Sequence, residues 1–320
     1  MTKELSLEIN KLCNFRCTFC YTEKYKEDLP DIDLVLNLIA EGIEEGVTSI
    51  SMTGGEPLLQ WDRVAEIARF AKSRGLRTRL NTNGILLEPS GRTDELLNLI
   101  DEFQISCNAT SDREFAEYIQ VKETLRPFSA ILQNINYLLD HSAHVTIRFT
   151  LDEHTAHNLT AVFLLFCGKH ELIKSRVVDR FKVRVSVPAG NIAPIGENVS
   201  KIKNASSHLF ELLRSTPEAQ VQFKDGNRLL TMPRDIPNLS SPQCICGERS
   251  IHISSDLRRV TPCVFLRDVS EFSLGNLRDG ENHLHEVWQN VRQSRFATEA
   301  SNPDVCASDR LCNAAVIHRS

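Results

Sequence analysis

Cys13, Cys17 and Cys20 stand in the string CNFRCTFCY, with three and then two residues between them. Thiolates this close wrap one compact metal centre, and three of them leave a fourth position open. A four-iron cluster with one differentiated iron needs that arrangement, because its free iron takes a ligand from outside the protein. A zinc ion completed by a distant fourth ligand is the competing reading of the spacing alone. Five further cysteines, Cys244, Cys246, Cys263, Cys306 and Cys312, return near the other end, so eight of the ten cysteines fall in two groups. With no secretory signal at the start, that grouping points to metal or redox chemistry in a reducing compartment.

The rest of the composition narrows the class. At 320 residues, 41% hydrophobic and 25% charged, the chain reads as folded and globular, large enough for an α/β barrel with an appendage. A net charge of -5 gives no bulk attraction to phosphate backbones, so no nucleic acid partner is expected. The opening MTKELSLEI carries Lys3 and Glu4 and runs straight into a strand pattern, unlike a signal peptide. The longest apolar run, near 161–167, is far too short to span a bilayer. A cytoplasmic protein without a membrane partner is expected.

Elements that could position the cysteines follow from periodicity. Short β-branched or apolar runs predict strands at 5–9, 49–52, 77–80, 103–107, 145–150 and 182–187. Between them, segments such as 34–45, 64–73 and 131–139 space apolar residues by three and four, as helices packing on a sheet do. This alternation is that of repeated βα units and a parallel sheet. Ligands of such sheets sit beyond the C-terminal strand ends. The unusual polar residues all fall there: the three cysteines after strand one, Gly54, Gly55 and Glu56 after strand two, Thr82, Asn83 and Gly84 after strand three, and Ser106 to Asn108 at the end of strand four. A Gly- and Pro-punctuated loop at 188–199 ends the barrel-like pattern, and a helix near 206–213 leads to the cysteine-rich end. The expected division is 1–203 barrel, 204–240 linker and helix, and 241–320 a small metal-stapled unit.

The three-cysteine string, TGGEP at 53–57 and TNG at 82–84 together resemble the radical S-adenosylmethionine (SAM) enzymes, and Tyr21 extends the match directly after the third cysteine. The resemblance implies a partial (β/α)6 TIM-like barrel, a 4Fe-4S cluster on Cys13, Cys17 and Cys20, and SAM at the free iron. It also implies that Gly54, Gly55 and Glu56 hold the SAM amino group, since glycines admit close backbone approach and a carboxylate beside an ammonium is a charge-assisted pair. Asn83 lines the same cavity in this reading. Arg148, in TIRFT, would hold the SAM carboxylate, a natural partner for a guanidinium. Ser106 occupies the place of a serine common in relatives, and Asn108 stands where relatives often have an acid. In this family the reduced cluster splits SAM to methionine and a 5'-deoxyadenosyl radical, which takes a hydrogen atom from unactivated carbon.

CICGERSIHISSDLRRVTPC at 244–263 is similar to the opening of a SPASM or twitch domain, and FSLGNLRDG with HEVWQNVRQSRF extends the likeness. It implies one auxiliary 4Fe-4S cluster, with Cys263, Cys306 and Cys312 as ligands and Cys244 or Cys246 completing the set. The member of that pair left over would be a thiol able to return a hydrogen atom to a substrate radical. A zinc site on the same thiolates is the alternative. Cys167 in AVFLLFC reads as a buried hydrophobe, and Cys107 as a packed core thiol or, less simply, a hydrogen donor. The histidine pairs His154 with His157 and His283 with His285 show no metalloprotease spacing.

The function implied is hydrogen abstraction from a peptide, ending in a crosslink, an oxidation or an epimerisation. A dehydrogenase or epimerase of aminocyclitol-type small molecules is the alternative, and only about a dozen residues before Cys13 leave little room for a leader-binding domain. A non-catalytic iron–sulfur redox sensor is a third reading, against which the intact GGEP and TNG elements weigh. An electron donor such as flavodoxin or ferredoxin is the implied partner.

Overall fold

The computed structural model describes residues 3–18, 20, 28–150, 152, 154–165, 181–186, 250–262, 264, 267, 270–280 and 282–293, with three isolated positions at 201, 204 and 208. Six strands run in sequence order: β1 (Lys3–Glu8), β2 (Val47–Thr53), β3 (Arg77–Thr82), β4 (Glu102–Ser106), β5 (Val145–Thr150) and β6 (Phe181–Ser186), each pairing in parallel with the next. They lie within two residues of the expected positions. Helices α1 (Ile32–Glu44), α2 (Trp61–Ser73) and α3 (Gly91–Leu99) follow β1, β2 and β3, α4 (Asp112–Ile119) and α5 (Pro127–Asp140) both connect β4 to β5, and α6 (Leu159–Leu164) follows β5, as a βα repeat requires. The sheet does not stop at β1. A seventh strand, β7 (Ser250–Ile253), lies parallel to β1 on its free side, and β8 (Val260–Thr261) turns back antiparallel to it. The cysteine-rich C-terminal part therefore shares one eight-stranded sheet with the barrel.

The two faces of this sheet differ sharply. Leu5, Ile50, Leu80, Phe103, Val145 and Ile147 occupy the outer rows, buried under the helices. Helix α1 lies close enough that a Cβ on Gly42 would meet Leu5 Cδ1 at 2.9 Å. Helix α7 (Leu284–Gln293), from the C-terminal part, packs against α1 through Leu284, whose Cδ2 would stand 3.3 Å from the same Cβ. The inner face is polar instead. Arg79 joins Glu4 on β1 (2.7 Å) to Glu102 on β4 (3.2 Å), and Glu102 also accepts from Gln104 (3.1 Å) and Thr146 (2.9 Å). Asn81 donates to Ser51 at 2.9 Å and accepts from Arg148 at 3.2 Å. Parallel strands are usually apolar on both faces. Here alternation gives a barrel lined by hydrogen-bonding groups, closed at its floor by a carboxylate–guanidinium–carboxylate row.

Candidate active site

The three cysteines lie on the loop that leaves β1, all of them half-buried. That loop is fixed by the end of α4, whose last-turn carbonyls have no partner within their own helix. Arg16 N donates to Ile119 O (3.0 Å) and Thr18 N to Tyr118 O (3.1 Å). Phe15, buried between Cys13 and Cys17, packs edge-on against Phe115 of α4 at 6.4 Å between ring centroids. The Phe15 amide points at Cys13 Sγ at 3.4 Å, a bond of the kind that tunes a cluster's potential. Tyr118 in turn donates to the buried Asp152 at 3.1 Å. A cavity of about 270 Å³ opens beside this loop, between Thr18, Asn108, Glu114, Tyr118 and His154.

The glycine–acid turn is bound to the stem of the same loop. Ile9 N donates to Thr53 O (2.8 Å), Gly55 N to Asn10 O (2.8 Å), Glu56 N to Leu12 O (2.7 Å), and the Asn10 amide to Glu56 O (3.0 Å). A Cβ on Gly54, whose φ is +151°, would stand 2.4 Å from Asn10 O, and one on Gly55 2.1 Å from Leu12 O. The two glycines thus admit the protein's own backbone. The Glu56 side chain is fully buried and accepts from Leu58 N (3.0 Å), Thr82 Oγ1 (2.7 Å) and Asn83 N (2.7 Å). Burial pushes its carboxyl up to about 7, against the opposing pull of those three donors.

At the end of β3, Asn83 uses its side chain twice within the chain. Its carbonyl accepts from Ile85 N at 3.1 Å, and its amide donates to Asn14 Oδ1 at 2.7 Å. Gly84, at φ +79°, could carry no Cβ without meeting Ile105 Cγ2 at 2.7 Å. Ser106 and Arg148 are register partners on β4 and β5, and Arg148 reaches inward to Asn81. Asn108 accepts from Thr150 N at 2.6 Å and ties the same two strand ends together. Cys107 is fully buried in the apolar core, its thiol on Ala109 O at 3.7 Å and pushed up to about 12 by burial.

The structure brings Cys13, Cys17, Cys20, Gly54, Gly55, Glu56, Asn83, Ser106 and Arg148 to the C-terminal ends of β1 to β5. Tyr21, Cys167, Cys244, Cys246, Cys263, Cys306, Cys312, the loop at 188–199 and, apart from position 208, the helix near 206–213 lie outside the described residues. Sequence reasoning passed over Asn14 and Phe15, although an aromatic residue midway between two cysteines is a signal that the loop needs an anchor. Among the described residues no three His, Cys, Asp or Glu side chains converge on one metal ion. A four-iron cluster takes its thiolates on separate irons, and three half-buried thiols on an anchored loop with an amide aimed at one sulfur suit that group.

A sequential parallel sheet around a polar interior, with three cysteines and a glycine–acid turn at its mouth, defines an α/β barrel built to hold an iron–sulfur cluster. Residues 7–163 match the model of the radical SAM superfamily, and 244–313 that of an iron-sulfur cluster-binding domain, SPASM. The chain belongs to the radical SAM superfamily and carries a C-terminal SPASM domain. SAM and a 4Fe-4S cluster are therefore its cofactors, with auxiliary iron–sulfur binding in the SPASM part.

The putative protein YfkA of Bacillus subtilis is 31% identical over 183 residues, 50% of this chain and 48% of that protein. A GTP 3',8-cyclase of Thermodesulfovibrio yellowstonii is 29% identical over 125 residues, 37% of this chain and 38% of that protein. The chain thus spans about half or less of the curated relatives it matches. Among solved structures, Streptococcus suis SuiB bound to S-adenosylmethionine superposes with a TM-score of 0.66 at 14% identity, over 90% of this chain and 65% of that one. The structure of anSMEcpe with bound AdoMet and Cp18Cys peptide gives 0.64 at 18% identity, over 97% and 87%. At these identities the likeness is one of fold. Among the described residues no helix is long and apolar enough to cross a membrane.

Proposed function

We propose that the chain is a peptide-modifying radical SAM enzyme. Cys13, Cys17 and Cys20 hold the cluster that binds SAM, and when bound the pair supplies a 5'-deoxyadenosyl radical that removes a hydrogen atom from an unactivated carbon. Arg148 meets the SAM carboxylate, and Tyr21, Ser106 and the backbone of Gly54 and Gly55 complete the pocket. The polar barrel interior suits a substrate rich in amide groups, because each displaced water can be replaced by a hydrogen bond from the wall.

One observation carries the two-centre part of this reading. β7, from the cysteine-rich part, is hydrogen-bonded to β1, the strand that delivers Cys13. An auxiliary cluster on Cys263, Cys306, Cys312 and one of Cys244 and Cys246 would be carried by the same C-terminal part of the chain that adds β7 to this sheet. If the leftover thiol returns a hydrogen atom, the product is an inverted stereocentre; if the auxiliary cluster instead accepts the substrate radical's electron as a proton leaves, the substrate is oxidised by two electrons. Support for a peptide comes from the shared fold of SuiB bound to precursor peptide SuiA and of anSMEcpe bound to Cp18Cys peptide. A flavodoxin- or ferredoxin-type protein supplies the first electron.

Co-expression with short peptides encoded beside the gene, followed by mass spectrometry, tests the reading. A peptide that loses two hydrogens marks oxidation or crosslinking, and one that gains a deuterium in heavy water marks thiol quenching. Unchanged peptides alongside turnover of an aminocyclitol by the same preparation would overturn the peptide assignment.

A further inference from the structure

Glu56 stands where the acid of the glycine–acid turn would be expected to face the ammonium of SAM. Its surroundings contradict that posture. A carboxylate offers about four lone-pair sites. Three are filled by Leu58 N, Thr82 Oγ1 and Asn83 N at 2.7–3.0 Å, and the side chain is 0% exposed. The donors come from the turn itself and from the end of β3, so the carboxylate faces the body of the protein. Asn83 carries the connection onward through its amide to Asn14, which sits between the ligand Cys13 and the anchor Phe15. On the main-chain side Glu56 N is already bound to Leu12 O, one residue before Cys13.

We infer that Glu56 is a positioning residue, which fastens the end of β3 to the cysteine loop through Asn83 and Asn14 and is not the ammonium partner of SAM. Three motifs become one mechanical unit in this arrangement: the cysteine loop, the glycine–acid turn and TNG. Gly54 and Gly55 serve the same end, since any side chain on them would push the turn off Asn10 and Leu12. Burial that raises the Glu56 carboxyl agrees with a group surrounded by neutral donors and apolar packing. The inference rests on the SAM-dependent reading of the site and holds whatever the substrate.

The test uses reduced, cluster-loaded full-length protein without SAM. The electron paramagnetic resonance signal of the N-terminal cluster is isolated by difference against a Cys13→Ala/Cys17→Ala/Cys20→Ala variant. In Glu56→Gln the new amide group faces the Asn83 N–H, so that link breaks while overall shape is kept. The SAM-free signal should shift in Glu56→Gln and in Asn83→Ala, and the double variant should be no worse than the more damaged single. SAM affinity should fall by about tenfold in each, and equally for an analogue bearing a hydroxyl in place of the amino group. Asn14→Ala, which cuts the outermost link together with the Cys13 Sγ contact to Asn14 Oδ1 (3.9 Å), should reproduce both effects even if Glu56→Gln folds poorly. A parent-like SAM-free signal in Asn14→Ala, or an affinity loss in Glu56→Gln confined to ligands with the amino group, would overturn the inference. Absence of SAM cleavage by the parent protein would instead sink the enzymatic reading and leave the SAM-free comparison intact.

Discussion

Replacing Arg267 by Met would expose how strongly the C-terminal part is fastened to the barrel. Arg267 Nη1 is paired with Glu8 Oε1, the two side chains being 5% and 0% exposed. Glu8 ends β1, five residues before Cys13, and Arg267 follows Cys263 by four. Glu8 also accepts two longer bonds, from Ser255 N (3.3 Å) and Ser255 Oγ (3.2 Å). Removing the guanidinium breaks a buried ion pair and leaves the carboxylate in place, a loss of about 3–5 kcal/mol. Urea unfolding at pH 8 followed by tryptophan fluorescence reads its size. Glu8→Gln/Arg267→Met should recover most of the stability, because two neutral groups of similar volume need no pairing. A single variant within about 0.5 kcal/mol of the parent at pH 8, or a double variant as unstable as the sum of its parts, would refute the reasoning.

Other consequences are equally specific. Gly55→Ala places a Cβ 2.1 Å from Leu12 O, so the cysteine loop must move, and iron incorporation at the N-terminal site should collapse while the far-UV circular dichroism persists. Phe15→Ala removes the buried ring that anchors the loop on Phe115, worth about 3 kcal/mol, and iron should be lost to a chelator faster than from the parent; equal rates would contradict the anchoring role. His252 is buried opposite Ser6, its Nε2 without a hydrogen-bond partner among the described residues, and its pKa is pushed down to about 3 by burial, with the Arg267 and Lys11 charges adding. Between pH 3 and the ordinary 6.5 the unfolded chain binds a proton that the folded chain does not, so stability rises with pH across that window. His252→Gln should remove about one proton from the acid-side slope of urea midpoints, and an unchanged slope would count against a neutral buried imidazole.

Much of this architecture was legible because alternation is a local signal. The six parallel strands follow from patterns such as ELSLE and TIRFT, whose polar members prove to be the barrel lining. Helices α3 and α4, of nine and eight residues, give little room for a 3.6-residue period and add to those read from the sequence. The place of β7 was not legible at all. Its four residues pair with a strand some 246 positions earlier, and nothing in SIHI encodes which sheet edge it will find. The motifs announced which residues gather at the rim but not where their atoms point. Glu56 lies beside the cysteines as expected, yet its partners Thr82 and Asn83 come from a strand 26 positions away, a contact only folding decides. Cys107 shows the same limit, since one step along β4 separates the inward Ser106 from the outward, core-bound thiol.

The most direct measurement is product formation from SAM alone. Anaerobically reconstituted and reduced protein, given SAM, should yield 5'-deoxyadenosine and methionine, and Cys13→Ala/Cys17→Ala/Cys20→Ala should yield neither while keeping its C-terminal iron. Fully loaded, reduced protein that binds SAM but forms no 5'-deoxyadenosine would contradict the account and return the three cysteines to the role of a redox sensor.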